Sequence, residues 1–138
     1  MKPAALVLLM LATPAFAETH EVQMYNRSGN GAMIYEPAFL QIAPGDTVRF
    51  IPTQPGHNAA TIDGMIPAGA EPFRSKINEA FSVTLTVPGS YGIKCSPHFA
   101  MGMVMLIRVG DAPAPVLPED LPARARERFQ AVLAARLQ

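Results

Sequence analysis

The stretch Phe81-Ser82-Val83-Thr84-Leu85-Thr86-Val87-Pro88-Gly89-Ser90-Tyr91-Gly92-Ile93-Lys94-Cys95-Ser96-Pro97-His98-Phe99-Ala100-Met101-Gly102-Met103, with the apolar run that continues to residue 109, decides the fold. From 81 to 87 the residues Phe, Val, Leu and Val alternate with Ser, Thr and Thr, the period of a half-buried strand. Pro88-Gly89 turns the chain, residues 91–94 read as another strand, and residues 103–109 as an apolar closing strand. Upstream, residues 20–26 form an expected first strand, ending at the turn Ser28-Gly29-Asn30-Gly31. Residues 39–42 run into Pro44-Gly45-Asp46, and residues 47–51 follow with β-branched and aromatic residues at strand period. Strands at this spacing, with little helix between them, predict an all-β fold, an antiparallel β-sandwich.

Outside this region the composition changes at both ends. Residues 111–122 hold Pro113, Pro115, Pro118 and Pro122 and read as a connector with one helical turn. Beyond it Phe129, Val132, Leu133 and Leu137 recur at helical spacing, with proline suited to the first turn. Arg124, Arg126, Arg128 and Arg136 fill much of the remaining face, so this is an amphipathic helix packed on the sandwich with its basic face in solvent. At the other end, Met1-Lys2, an apolar run over 4–12 and the small-x-small pattern Ala15-Phe16-Ala17 read as a signal peptide. The apolar run is well short of the roughly 20 residues that span a bilayer. The expected organisation is therefore residues 1–17 as signal peptide, 18–110 as sandwich and 111–138 as a C-terminal α-helical extension.

The 138-residue chain carries 11 basic and 11 acidic side chains, and setting Lys2 aside leaves it close to neutral. No global field points to nucleic acid or to an anionic membrane, and no membrane anchor is expected once the leader is removed. Cys95 is the single cysteine, so no internal disulfide forms. A free thiol in an oxidising compartment is a liability unless it is buried or occupied. Metal ligation occupies it.

Residues 94–103 pack one thiol, one imidazole and two thioethers between two strands. Soft sulfur donors with imidazole suit copper, and a trigonal set of two His and one Cys with a long axial Met is the blue-copper arrangement. The second imidazole comes from His20 or His57. His57 sits in Gln54-Pro55-Gly56-His57-Asn58, a turn leading into a strand, whereas His20 is third from the expected mature terminus, where fraying opposes a rigid site. His57 is therefore the expected ligand beside Cys95 and His98. Spacing alone leaves the axial position open between Met101 and Met103. Pro97 lacks a backbone N–H and cannot donate to the Cys95 sulfur, although turn chemistry explains it equally well. Asn58 is expected to give polar support around Cys95 and His57.

Gly56-His57-Asn58, Cys95-Ser96-Pro97-His98 and Met101-Gly102-Met103 resemble the cupredoxins, the type 1 blue copper proteins. Residues 64–71 and 75–79, with the helical tail after the last strand, are most similar to the pseudoazurin family within them. The resemblance covers essentially the whole chain beyond the leader. It implies a Greek-key cupredoxin sandwich holding one copper ion that cycles between Cu(I) and Cu(II), with His57, Cys95, His98 and Met103 as ligands. It implies a monomeric periplasmic electron carrier whose partners are redox proteins, copper nitrite reductase or another periplasmic reductase and c-type cytochromes. The partner surface it implies is an apolar patch around His98, formed by Met33, Pro97, Met101 and Ala100; for Met33 and Met101, patch and core are equal readings. A surrounding basic ring is matched only in part, by Arg27, Arg74, Lys76 and Lys94, while Pro52 and Pro55 bring no charge.

Three rival classes are distinguishable. A multicopper enzyme relays electrons through histidines flanking the cysteine, but Cys95 is flanked by Lys94 and Ser96, and three histidines cannot build a second centre. A copper carrier or storage protein predicts exchangeable metal and a weak visible band. A structural zinc site is disfavoured by a thioether donor.

Overall fold

The computed structural model describes residues 12 and 15–136. The expected signal peptide lies outside the described residues except for 12 and 15–17, as does Leu137 of the helical pattern. Two four-stranded sheets enclose one apolar core. The first contains β1 (Thr19–Ser28), β2 (Gly31–Glu36), β4 (Thr47–Ile51) and β6 (Phe81–Thr84), in the order β2-β1-β4-β6. The second contains β3 (Phe39–Ile42), β5 (Ala60–Thr61), β7 (Gly89–Lys94) and β8 (Val104–Val109), in the order β3-β8-β7-β5. Every connection between β2 and β7 passes from one sheet to the other, as a Greek-key sandwich requires.

The sandwich is as expected, with most pairings antiparallel, but each sheet contains one parallel pairing. β1 pairs with β4 in parallel, and β3 pairs with β8 in parallel. Alternation in a sequence reports which face a residue occupies; it carries no strand direction, which is set by crossovers between sheets. The strand Gly31–Glu36 was not expected either, because Ile34 and Tyr35 are both buried and erase the alternation. The expected strand over 81–87 leaves the ladder at Thr84, yet Leu85 stays buried and exchanges backbone bonds with the Pro44-Gly45-Asp46 turn (Leu85 N to Asp46 O, 3.0 Å; Gly45 N to Leu85 O, 2.8 Å).

β8 is apolar from Val104 to Ile107 because both of its faces are covered there, and only Arg108 interrupts the run before Val109. Met105, Ile107 and Val109 face the core between the sheets, while Val104 and Leu106 face helix α1 (Ala123–Arg136). Helix α1 buries Ala125 and Phe129 completely and packs Val132 and Leu133 against the same group. Burying a side chain the size of Phe129 contributes roughly 1.5–3 kcal/mol. Arg124 and Arg136 are exposed as expected, whereas Arg126 and Arg128 are half-buried and bonded to carbonyls. Arg136 lies 4.2 Å from the Phe39 ring centroid, Arg126 donates to the Pro118 carbonyl, and Arg128 donates to the Met33 carbonyl. Long cationic side chains cover apolar surface with their stems and satisfy stray carbonyls with their heads.

The amino-terminal end of β1 is pinned. Asp46, 5% exposed, accepts from Glu18 N (3.0 Å) and Ala43 N (3.1 Å), and its other contact is His20 Nε2 at 2.9 Å. The Glu18 N–H and then His20, with a smaller share from Ala43, hold the Asp46 carboxyl below its usual range against the opposing effect of burial. A carboxyl depressed in the folded state stabilises the fold above its unfolded pKa of about 3.9, and that stability is lost as pH falls through the lower folded value. Denaturant midpoints measured across the acid range should fall in that window, and Asp46→Asn should lower stability near neutral pH and flatten the fall.

Candidate metal centre

The register of the β7–β8 hairpin fixes where the sulfur donors lie. Lys94 pairs with Val104, so Cys95 and Met103 stand opposite one another in the next position, joined by Cys95 N to Met103 O at 3.0 Å. Ile93 and Cys95 share the inward face of the strand, and Met103 begins the inward series of β8, so both sulfur residues are fully buried in the core cluster. Between them the chain closes in a 3-10 turn over Ser96–Met101 with a kink at His98 (φ −118°, ψ 17°). His98 N donates to Cys95 O (3.2 Å) and Met103 N to His98 O (3.2 Å), which carries the imidazole back over Cys95. Met101 lies on that turn and is 43% exposed. The turn itself was not expected from the sequence.

His57 arrives from the loop before β5, the strand that pairs Ala60 with Lys94 and Thr61 with Ile93. The two segments are latched by Asn58, whose side chain accepts from Ser96 N (2.7 Å) through Oδ1 and donates from Nδ2 to Ser96 Oγ (3.1 Å) and Ser75 O (3.1 Å). Its own carbonyl accepts from Tyr35 Oη at 2.7 Å. A second clamp lies behind. Asn78 takes a left-handed backbone (φ 67°), accepts from Gly56 N (2.6 Å) through Oδ1, and donates its N–H to His57 O (3.0 Å). Ser75 exchanges bonds with Ala59 through Oγ (2.9 Å) and N (2.8 Å). Asn78, Ser75 and Tyr35 were missed in the sequence. The signal for Asn78 was an asparagine, a residue that tolerates the left-handed region, inside the 75–79 segment.

Three donor atoms converge. Cys95 Sγ lies 3.7 Å from His57 Nδ1 and 3.5 Å from His98 Nδ1, and the two Nδ1 atoms are 3.2 Å apart. Those separations leave one point about 2.0 Å from all three atoms, the length of a metal–imidazole bond and a little short of a metal–thiolate bond. Burial, first, and then the charge of His98 push the His57 pKa down, which favours the neutral ring that carries a lone pair for ligation. Burial raises the Cys95 thiol, opposed by backbone N–H groups of Asn58 and His98 directed at the sulfur. The same N–H groups stabilise sulfur once it is a thiolate. His57 Nε2 is buried and finds no hydrogen-bond partner among the described residues, so its ring is held by packing and by the bond on its carbonyl.

The other expected site residues spread around this centre. Pro97, Ala100 and Met101 are exposed beside half-buried His98, while Met33 is half-buried and packs against the core cluster. Arg27, Arg74 and Lys76 are exposed, and Lys94 holds its ammonium 5.0 Å from the Phe99 ring centroid. His20 is not part of the centre, though not because its end of the chain frays: it lies within β1, bonded to Asp46 in a separate cluster with Glu18.

Residues 22–110 match the family model described as copper binding proteins, plastocyanin/azurin family. The pseudoazurin of Paracoccus pantotrophus is 52% identical over 134 residues, covering 95% of this chain and 92% of that protein. The crystal structure of pseudoazurin from Methylobacterium extorquens AM1 superposes with a TM-score of 0.76 at 36% identity, over 87% of this chain and 99% of that one. The native pseudoazurin of Hyphomicrobium denitrificans gives a TM-score of 0.76 at 31% identity, over 85% of this chain and 97% of that one.

Removing the latch tests its part in assembling the donors. Asn58→Ala strands Ser96 N and Ser75 O, each a buried or half-buried group whose lost partner costs about 1–3 kcal/mol. The metal-free variant should unfold at lower denaturant concentration, and copper affinity measured by chelator competition should drop about 10–100-fold, as for other contacts that orient ligands.

Proposed function

The chain belongs to the plastocyanin/azurin family of copper-binding proteins, in its pseudoazurin group, and from that premise we propose that it is a periplasmic electron carrier whose ligands are His57, Cys95, His98 and Met103. The observation that carries this reading is the buried triangle of Cys95 Sγ, His57 Nδ1 and His98 Nδ1, with sides of 3.2–3.7 Å, beside fully buried Met103. Copper supplies the one-electron Cu(I)/Cu(II) couple. Thioether and thiolate sulfur with two imidazoles favour copper over zinc.

Each residue has a derivable part. Cys95 would ligate as thiolate, its thiol proton passing to solvent when metal binds. Met103 would be the second sulfur ligand, a reading supported by the hairpin register that sets it against Cys95 and by its full burial, whereas Met101 sits on an exposed turn. Asn58, the β5–β7 pairing and the hairpin hold the donors in one arrangement, which suits a centre that must change oxidation state without moving its ligands. His98 is half-buried where His57 is buried, so its imidazole offers the route between centre and surface.

Partner choice follows from what rims His98. Pro97, Ala100 and Met101 offer an exposed apolar contact suited to brief docking, and Arg27, Arg74 and Lys76 are exposed cations. A redox protein with a complementary acidic rim, of which copper nitrite reductase, another periplasmic reductase or a c-type cytochrome is the expected class, fits this face. Among the described residues no helix is long and apolar enough to cross a membrane. Export rests on the leader-like residues 1–17, and a monomeric state is carried over from the family resemblance alone.

The copper-loaded protein should be intensely blue when oxidised and bleach reversibly on reduction. A weak band with readily chelated copper would instead support a metal carrier. Cys95→Ser should abolish the band, which needs a copper–thiolate bond. Met103→Leu should shift both spectrum and reduction potential, while Met101→Leu leaves them nearly unchanged; the reverse pattern moves the axial role to Met101.

A further inference from the structure

We infer that helix α1 is a positioning element of the metal centre, acting on the ligand turn and on β2 without supplying any ligand; this rests on the copper reading above. Gly102, which closes the 3-10 turn and directly precedes Met103, has φ +84°. A Cβ at that position would lie 2.9 Å from the Arg124 carbonyl oxygen and 3.1 Å from the Arg124 carbonyl carbon and Cβ. Backbone therefore meets backbone between the first turn of α1 and the ligand turn, with no side chain to cushion the contact. Gly102 is needed here both for its left-handed conformation and for this approach. Its N–H donates to Phe99 O at 3.0 Å, so the contact is continuous with the turn that carries His98.

One turn further along α1, Arg128 reaches the other side of the site. Its Nη1 donates to Met33 O (2.6 Å) and its Nη2 to Ala32 O (3.3 Å). Met33 has φ +49°, a conformation that is strained for a residue other than glycine and persists only where surroundings hold it. The Met33 side chain packs against the core cluster that includes Cys95 and Met103. Phe129 anchors the helix between these two contacts, fully buried in a cluster against which Phe99 of the ligand turn also packs. A helix serving only to cover β8 would need Ala125 and Phe129 alone. The Gly102 and Arg128 contacts add nothing to that cover, and both lead to the metal ligands.

The test uses the full chain loaded with copper, comparing the parent with Arg128→Gln and Phe129→Ala. Neither residue is a ligand. Both variants should bind one copper per chain yet show a displaced thiolate band and a reduction potential different from the parent's, and Phe129→Leu should return the band toward the parent position. A lowered unfolding temperature with the parent's band and potential, in either variant, overturns the inference and leaves α1 as packing alone. If Phe129→Ala fails to fold, Arg128→Gln decides by the same two readouts. A parent that shows no thiolate band removes the copper reading itself, an outcome separate from a parent-like variant.

Discussion

The hydrogen bonds from Asn58 to Ser96 are the constraint on which the centre depends. His57 and Cys95 are 38 residues apart, and nothing local brings them together. Crowding a thiol and two imidazoles into a dry pocket is unfavourable without a metal, because each loses water and gains few partners. The fold bears that cost by joining the backbones just beside the ligands rather than the ligands themselves. Asn58 spans the gap, Tyr35 and Ser75 hold Asn58 and its neighbour, and Asn78 closes the turn behind His57. Every bond in this set involves a residue that leaves the donor atoms free.

The hairpin contributes the complementary half. Because side chains alternate along a strand, Cys95 must face inward if Ile93 does, and the register then sets Met103 opposite. Two sulfur residues thus share one face, joined through their backbones by Cys95 N to Met103 O. The remaining donor, His98, sits on a short turn whose ends are both tied to the hairpin and whose outer surface is braced by α1. Three ligands are thereby buried and one reaches the surface. That division keeps three side chains dry while leaving one imidazole near the surface, an arrangement suited to passing electrons.

Much of this was legible in the sequence, and the legible part has a common cause. Cys95, His98 and Met103 lie within one short stretch where strand alternation and turn residues determine geometry locally, and His57 followed from its place in a turn before a strand. The choice between Met101 and Met103 was not legible from spacing; what favours Met103 is its burial opposite Cys95, which depends on pairing between strands. The same gap hid the parallel pairings of β1 with β4 and β3 with β8, since alternation is blind to direction. β2 went unseen because Ile34 and Tyr35 are covered on opposite faces of the strand. Arg128 looked like one of several solvated charges on a helix, and only tertiary packing brings it to the carbonyls of Ala32 and Met33.

The central claim is that the protein, rather than the metal, assembles the donor set. Crystal structures of the same chain with and without copper test it most directly. The claim predicts that His57, Cys95 and Met103 superpose in the two forms, with Asn58 bonded to Ser96 in both and at most a small adjustment of the His98 ring. A metal-free form in which the His57 turn has swung away and Asn58 has released Ser96, with closure only when copper enters, would contradict it.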